Sequence, residues 1–157
     1  MTGKGDEGRG KGVIEEAASA VAGRLGKLKP RVAIVLGSGL GAVADAVQSA
    51  IRIPQSAIPG FPEPGAPGHK GELVAGTLEG VPLVVQSGRF HLYEGHPADV
   101  AALPTRVFAR LGVETLIVTN AAAGLSAQTL SHAEVLEASA RVAGQLERLI
   151  RGVLKGL

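Results

Sequence analysis

The sequence predicts an α/β fold built on a mixed sheet flanked by helices. Three observations carry that expectation. Residues 32–36 and 115–119 are short apolar runs of the kind that form buried strands. Segments with apolar residues at helical spacing alternate with them, and glycine and proline fall between the runs, where turns belong. With 157 residues and 45% hydrophobic content, the chain is long enough to close a core of its own. Aromatic residues make up only 3%, so Val, Leu, Ile and Ala must build that core.

Residues 1–12 are Gly-rich and charged and read as a flexible tail. Gly5, Gly10 and Lys11 have the spacing of a phosphate-cradling loop. Gly12, however, stands where a hydroxyl should hold magnesium, and no strand precedes it. A helix is expected over 13–25, with Ile14, Ala17, Ala18, Val21, Ala22 and Leu25 on one face and Pro30 beyond its end. The strand at 32–36 enters Gly37-Ser38-Gly39-Leu40-Gly41, which turns into a helix expected to reach Ala50. Residues 51–53 then read as a short strand. Residues 54–71 are rich in proline and glycine and form a long loop.

Residues 73–78 and 81–86 flank Glu79-Gly80 as a hairpin. A polar loop over 87–96 leads to a helix over 97–111, and 115–119 is expected to be another buried strand. The last element is a helix opened by a capping box, with Ser131 as N-cap and Glu134 reaching back. Its apolar stripe is read as Leu136, Ala143 and Ile150 together with Val135, Val142 and Leu149. Glu137, Arg141, Arg148 and Arg151 fall mostly outside it. No internal repeat or linker divides the chain, so 13–157 reads as one domain.

Composition narrows the function. Without cysteine there is no disulfide and no thiolate chemistry. A formal charge of +2 gives no case for a nucleic-acid protein, and Arg24, Lys27, Lys29 and Arg31 read as a solvated helix end. No segment has the pattern of a signal or membrane helix, so a soluble cytoplasmic protein is expected.

Several segments could carry chemistry. Gly37 to Gly41 follows a strand and precedes a helix, so it presents backbone N–H groups to an anion, with the Ser38 hydroxyl beside them. Gly37, Gly39 and Ala42 also satisfy a dinucleotide fingerprint. That reading needs an acidic residue near position 55, where the sequence is Ile53-Pro54-Gln55-Ser56. His69, between Gly68 and Lys70, is either an anion donor or a solvated loop residue. Gly88-Arg89-Phe90-His91-Leu92-Tyr93-Glu94-Gly95-His96 sets a guanidinium, two imidazoles, a phenol and a carboxylate directly after a strand, where ligands bind in α/β sheets. No carboxylate or Cys pattern completes a metal site around its histidines. Asn120-Ala121-Ala122-Ala123-Gly124 follows a strand, and its small side chains serve either close ligand approach or close packing. His132 begins the last helix, as a ligand donor or simply a first-turn polar residue.

In this order the segments resemble the trimeric purine nucleoside phosphorylases. The matching words are Gly37-Ser38-Gly39-Leu40-Gly41, Gly68-His69 before Gly71-Glu72-Leu73, and Gly88-Arg89-Phe90-His91 with Tyr93-Glu94-Gly95. Leu111-Gly112-Val113, Thr119-Asn120-Ala121-Ala122 and Ser131-His132 with Glu134-Val135-Leu136 follow. The resemblance covers nearly everything after residue 12. It implies a three-layer fold and a homotrimer that cleaves purine nucleosides with phosphate, without organic cofactor or metal. It further implies that Ser38, His69, Arg89 and the Ala121 N–H hold phosphate, with His91 beside it as the catalytic candidate. Tyr93 would contact the ribose and His132 its 5′-hydroxyl, while Asn120, which could descend from either of two family segments, is a further substrate-contact candidate.

The sequence departs from the family in one place. There, a long middle segment separates the Asn-Ala-Ala turn from the Ser-His-x-Glu helix and supplies the purine-contacting glutamate, an aromatic lid and central strands. Here only residues 125–130 intervene. Residues 119–126 resemble the first family turn at their front and a later Thr-Asn-x-Ala-x-Gly-Leu-Ser segment at their rear, as if the two had been joined. Among Glu63, Glu72, Glu79 and Glu114, none stands in a family-like context for the purine carboxylate. The second reading is therefore a non-catalytic phosphate-binding remnant or a partner of a full-length relative.

Overall fold

The structure is a computed structural model and describes residues 4–37, 40–62, 71–90, 92–119 and 132–157. Its described elements are helices α1 (Lys4–Leu25), α2 (Ala42–Asp45), α3 (Ala98–Arg110) and α4 (His132–Lys155), with strands β1 (Val32–Val35), β2 (Gln48–Pro54), β3 (Glu72–Leu78), β4 (Val81–Ser87) and β5 (Thr115–Val118). The five strands form one sheet in the order β2-β3-β4-β1-β5. β1 is parallel to both β4 and β5, whereas β3 is antiparallel to β4 and β2 to β3. The mixed sheet expected from the sequence is therefore present.

Strand periodicity sorts the core into two halves. Ala33, Val35, Leu73, Ala75 and Val84 face Ala17, Val21 and Leu25 of α1 and Leu103, Val107 and Phe108 of α3. Val32, Ile34, Val74, Leu83 and Val85 face Val43 and Ala44 of α2 and Ile150 and Leu154 of α4. The hairpin closes as expected through Glu79 and Gly80, both at positive φ (53° and 78°), with Leu78 paired to Val81.

Several elements depart from the sequence reading. The tail expected over 1–12 is helical from Lys4 onward, which also removes the loop a phosphate cradle would need. Once Ala17, Ala18 and Val21 anchor α1, each further residue adds a backbone hydrogen bond without a new nucleation cost. The helix expected to reach Ala50 stops at Asp45, and strand pairing begins at Gln48, so β2 is longer than residues 51–53. Pairing with β3 wins there because Gly76 lets β2 press in: a Cβ on Gly76 would collide with the Gln48 carbonyl oxygen and lie 2.7 Å from Val47 Cγ1. Within the expected long loop, Gln55–Ala57 makes a 3-10 turn, while residues 63–70 lie outside the described residues.

β5 is not buried on both faces. Leu116 and Val118 are 41% and 61% exposed, and β5 is the last strand of the described sheet. The stripe on α4 is also split. Ala143, Leu146, Ile150 and Leu154 pack on the sheet, whereas Val142 and Leu149, expected inside, are exposed with Val153. The rotation is fixed at the C-terminal end, where Arg151 donates to Glu79 in the hairpin turn at 2.5 Å and Lys155 Nζ lies 3.6 Å from the same carboxylate. The capping-box side chains Ser131 and Glu134, and those of Val135 and Leu136, lie outside the described ones.

Two outcomes test this packing. Gly76→Ala should lower stability by about 1–3 kcal/mol through overpacking. Gly12→Ala, on α1 with nothing within 4 Å of the added Cβ, should raise it by about 0.5–1 kcal/mol. Denaturant midpoints measure both, and an unaffected Gly76→Ala would show that β2 does not need the close approach. Arg151 donating to Glu79, then Lys155 nearby, hold the Glu79 carboxyl below its ordinary value. A carboxyl lowered on folding stabilises above its unfolded pKa of about 4.3, and that contribution fades as pH falls through the lowered folded value. The difference in thermal midpoint between wild type and Glu79→Gln should therefore be present at neutral pH and vanish in acid. A difference that is constant across that range would exclude the linkage.

Candidate functional site

The carboxyl ends of the adjacent parallel strands β4, β1 and β5 lie together, and the chemistry-bearing loops leave from them. Thr119, directly after β5, fastens these ends. Its N–H donates to Val35 O at 2.9 Å, and its hydroxyl donates to the same carbonyl at 3.2 Å while accepting from Gly37 N–H at 3.0 Å. On the other side of β1, Leu36 N–H donates to Gln86 O at 3.1 Å. Arg89, two residues beyond β4, is half-buried and donates from Nη1 to Thr119 O at 3.3 Å. Its guanidinium thus reaches from the β4 end across β1 to the end of β5.

Of the candidate residues, Arg89 alone has a described side chain. Ser38, His69, His91, Asn120 and Ala121 lie outside the described residues, and the side chains of Tyr93 and His132 lie outside the described ones. The topology still fixes where most of these segments start. Ser38 follows Gly37, His91 stands two residues after Arg89, and Asn120 and Ala121 follow Thr119, so three loops depart from points already joined by hydrogen bonds. The backbone of Tyr93 lies in the 3-10 turn Leu92–Glu94, and His132 is the first residue of α4.

Sequence reasoning missed Gln55. It is fully buried after β2, and its N–H donates to Gly71 O at 2.7 Å. Its Nε2 donates to Gly88 O at 2.6 Å, which holds the peptide before Arg89, where Gly88 adopts φ 99°. A carbonyl partner requires the amide nitrogen to face it, so the oxygen must point the other way, and Oε1 is buried without a partner. The position where a dinucleotide site would carry an acid is thus turned inward as a brace. A lone glutamine in a proline-rich stretch gave no periodic signal of burial.

Phe90 adds a second brace. It meets the Phe61 ring edge-to-face at 5.5 Å and the His96 ring at 5.9 Å, tying the start of the proline-rich loop to the Arg89 loop. His96 Nε2 lies 4.0 Å from Glu94 Oε2. Among the described residues, no three of His, Asp and Glu converge as a metal-binding group would require. Two of the carboxylates noted in the sequence lie at the far end of the sheet: Glu79 in the hairpin turn, bound to Arg151, and Glu114 before β5, bound to Arg31 at 3.1 Å. Glu72 begins β3 at the Arg89 end but is held by Arg52 at 2.6 Å, while Glu63 lies outside the described residues. An open cleft of about 1020 Å³ between α1, Gly60 and α3, lined by Val13, Ile14, Val100 and Leu103, contains none of the candidate residues.

Comparison with known proteins is consistent with this arrangement. The family model described as Phosphorylase superfamily matches residues 31–135. Purine nucleoside phosphorylase 1 of Geobacillus stearothermophilus is 50% identical over 113 residues, covering 72% of this chain and 41% of the relative. The Bos taurus purine nucleoside phosphorylase is 51% identical over 98 residues, 62% of this chain and 34% of the relative. A purine nucleoside phosphorylase solved in complex with ribose-1-phosphate superposes with a TM-score of 0.66 at 46% identity, covering 73% of this chain and 42% of that one. The Schistosoma mansoni enzyme in complex with inosine gives 0.66 at 41% identity, with 76% and 41% covered. The chain therefore spans about one third to two fifths of the length of these relatives, 34% to 42%.

Gln55→Leu should leave the buried Gly88 carbonyl unpaired, at a cost of about 1–3 kcal/mol. Urea unfolding would measure it. Gln55→Glu keeps the size but replaces the donor with an acceptor, and should be at least as destabilising. A Gln55→Leu protein as stable as wild type would show that the Gly88 turn holds itself.

Proposed function

The chain belongs to the phosphorylase superfamily, and from that premise we propose that it carries the phosphate half of a purine nucleoside phosphorylase-type site. The reaction class is phosphorolysis of purine (deoxy)ribonucleosides to the free base and (deoxy)ribose 1-phosphate. The observation that carries the proposal is Arg89, braced at Gly88 by Gln55 and laid across the ends of β4, β1 and β5. A guanidinium there can hold a phosphate with two parallel hydrogen bonds. In this reading Ser38, His69 and the Ala121 N–H complete the anion site, and His91 is the catalytic candidate beside it. Tyr93, Asn120 and His132 contact the nucleoside. Phosphate is a co-substrate, and no metal or organic cofactor takes part.

The chemistry rests on position and electrostatics. Phosphate is held against a ribosyl carbon that becomes cationic as the purine departs, and the departing base needs its negative charge stabilised. The second requirement favours the alternative reading, a phosphate-binding partner with little turnover of its own. Glu79 and Glu114 sit at the wrong end of the sheet, and Glu72 is engaged by Arg52. A cytoplasmic setting and three-fold assembly belong to the same proposal. Among the described residues, no helix is long and apolar enough to cross a membrane.

Phosphate or sulfate should raise the thermal midpoint of the folded chain. Arg89→Ala should abolish that shift, and Arg148→Ala on α4 should not. Equal shifts in all three proteins would reduce the effect to non-specific salt. One missing preorganised donor commonly costs about 10²–10³ in rate, so the purified chain should bind phosphate yet cleave inosine very slowly, with no rescue by metal. Turnover at the rate of a full-length relative, sensitive to Arg89→Ala, would show that the purine site is complete.

A further inference from the structure

The two edges of the sheet are finished differently. β2 has the features that discourage edge pairing: a register shift between Gln48 and Ile51, Ser49 at φ 50°, Pro54 at its end, and Arg52 held by Asp45 and Glu72. β5 has none of them. Its sequence Thr115-Leu116-Ile117-Val118 is uncharged and free of proline, and its pairing with β1 is regular.

The ladder shows which backbone groups are on offer. Thr115 and Thr119 donate their N–H groups to Arg31 O and Val35 O of the β1 side. With a period of two, Leu116 and Val118 therefore turn their N–H and C=O groups to the side of β5 on which no described strand lies. Their side chains continue the face of Ala33 and Val35 and are largely exposed. An antiparallel partner must place same-face residues opposite one another, so a strand meeting its own copy is limited to registers that match in parity.

We propose that β5 pairs with β5 of a second copy of this chain, antiparallel about a two-fold axis at Ile117. In that register Leu116 of each copy faces Val118 of the other as a hydrogen-bonded pair, and every outward N–H and C=O of both residues finds a partner. The two Ile117 residues meet as the central non-hydrogen-bonded pair. Centring on Leu116 instead sets Val118 opposite Glu114, whose N–H is already given to Arg31 O. No charge opposes the pairing, because Glu114, the nearest, is neutralised by Arg31 at 3.1 Å. The contact is isologous and closes on itself, so it gives an even number of chains: a dimer, or a hexamer if a three-fold contact is also made.

The cysteine-free sequence makes the test direct. Residues in a non-hydrogen-bonded antiparallel pair have Cα atoms about 4.5 Å apart, within the range of about 4.4–6.8 Å that a disulfide spans. Ile117→Cys should cross-link to a covalent dimer under mild oxidation, whereas Leu149→Cys, exposed on α4, should not. Sedimentation of the wild type should show an even-numbered species. Val118→Lys, at a position already 61% exposed, should halve its mass while keeping the circular dichroism of the folded chain. A wild-type monomer or trimer, a Val118→Lys protein of unchanged mass, or cross-linking of Ile117→Cys no better than Leu149→Cys would each overturn the proposal.

Discussion

The hydrogen bonds at Thr119 set the spacing of the strand ends from which three candidate loops depart. One hydroxyl, 7% exposed, holds Val35 O and Gly37 N–H at once, and the carbonyl of the same residue receives Arg89. A valine at this position would fill similar space in the strand but would leave the Gly37 N–H without a partner at a buried point, a loss of about 1–3 kcal/mol. The larger effect would be positional. Without that bond Gly37 would no longer be tied to the residue that receives Arg89, and an anion site depends on donors that are placed before the anion arrives.

Some of this was legible in the sequence and some was not. The hairpin at Glu79-Gly80, the strand before Gly37 and helix α3 all came from local signals: turn residues with positive φ, an unbroken apolar run, and helical spacing. The family was readable because loops after strands keep their residues in contiguous words, Gly88-Arg89-Phe90 among them. What failed was whatever depends on distant partners. Residues 46–50 look helical by themselves, but β2 forms there because Gly76, nearly thirty residues on, leaves room for it. Gln55 has no local mark of burial, because its role is set by the carbonyl of Gly88. The burial of Thr115–Val118 was overestimated for the same reason: an apolar run shows what could be covered, while coverage depends on which helices reach it.

The split stripe of α4 follows the same logic. An apolar face of roughly 100° or more is enough to seat a helix, yet which part of a broader stripe turns inward is decided elsewhere. Here Ile150 and Leu154 enter the core, and Arg151 points to the hairpin turn beside them, so one turn of helix satisfies both a packing and a charge requirement. With that rotation fixed, Val142, Leu149 and Val153 must face outward. The exposed apolar residues thus follow from seating Ile150 and Leu154, with the ion pair consistent with that rotation, and a sequence reading based on hydrophobicity alone assigns them to the core.

The proposed reading separates anion binding from bond cleavage in physical terms. In it, phosphate takes its donors from the ends of β4, β1 and β5, which are tied by short-range hydrogen bonds among the described residues. Cleaving a glycosidic bond needs, in addition, a group that stabilises charge on the leaving base several ångströms beyond the anion. Three acids noted in the sequence are engaged elsewhere: Glu79 with Arg151 of α4, Glu114 with Arg31 before β5, and Glu72 with Arg52. Two of the three lie at the opposite end of the strands from Arg89. In the proposed reading the anion donors stand at the strand ends, and none of these three acids serves the leaving group there.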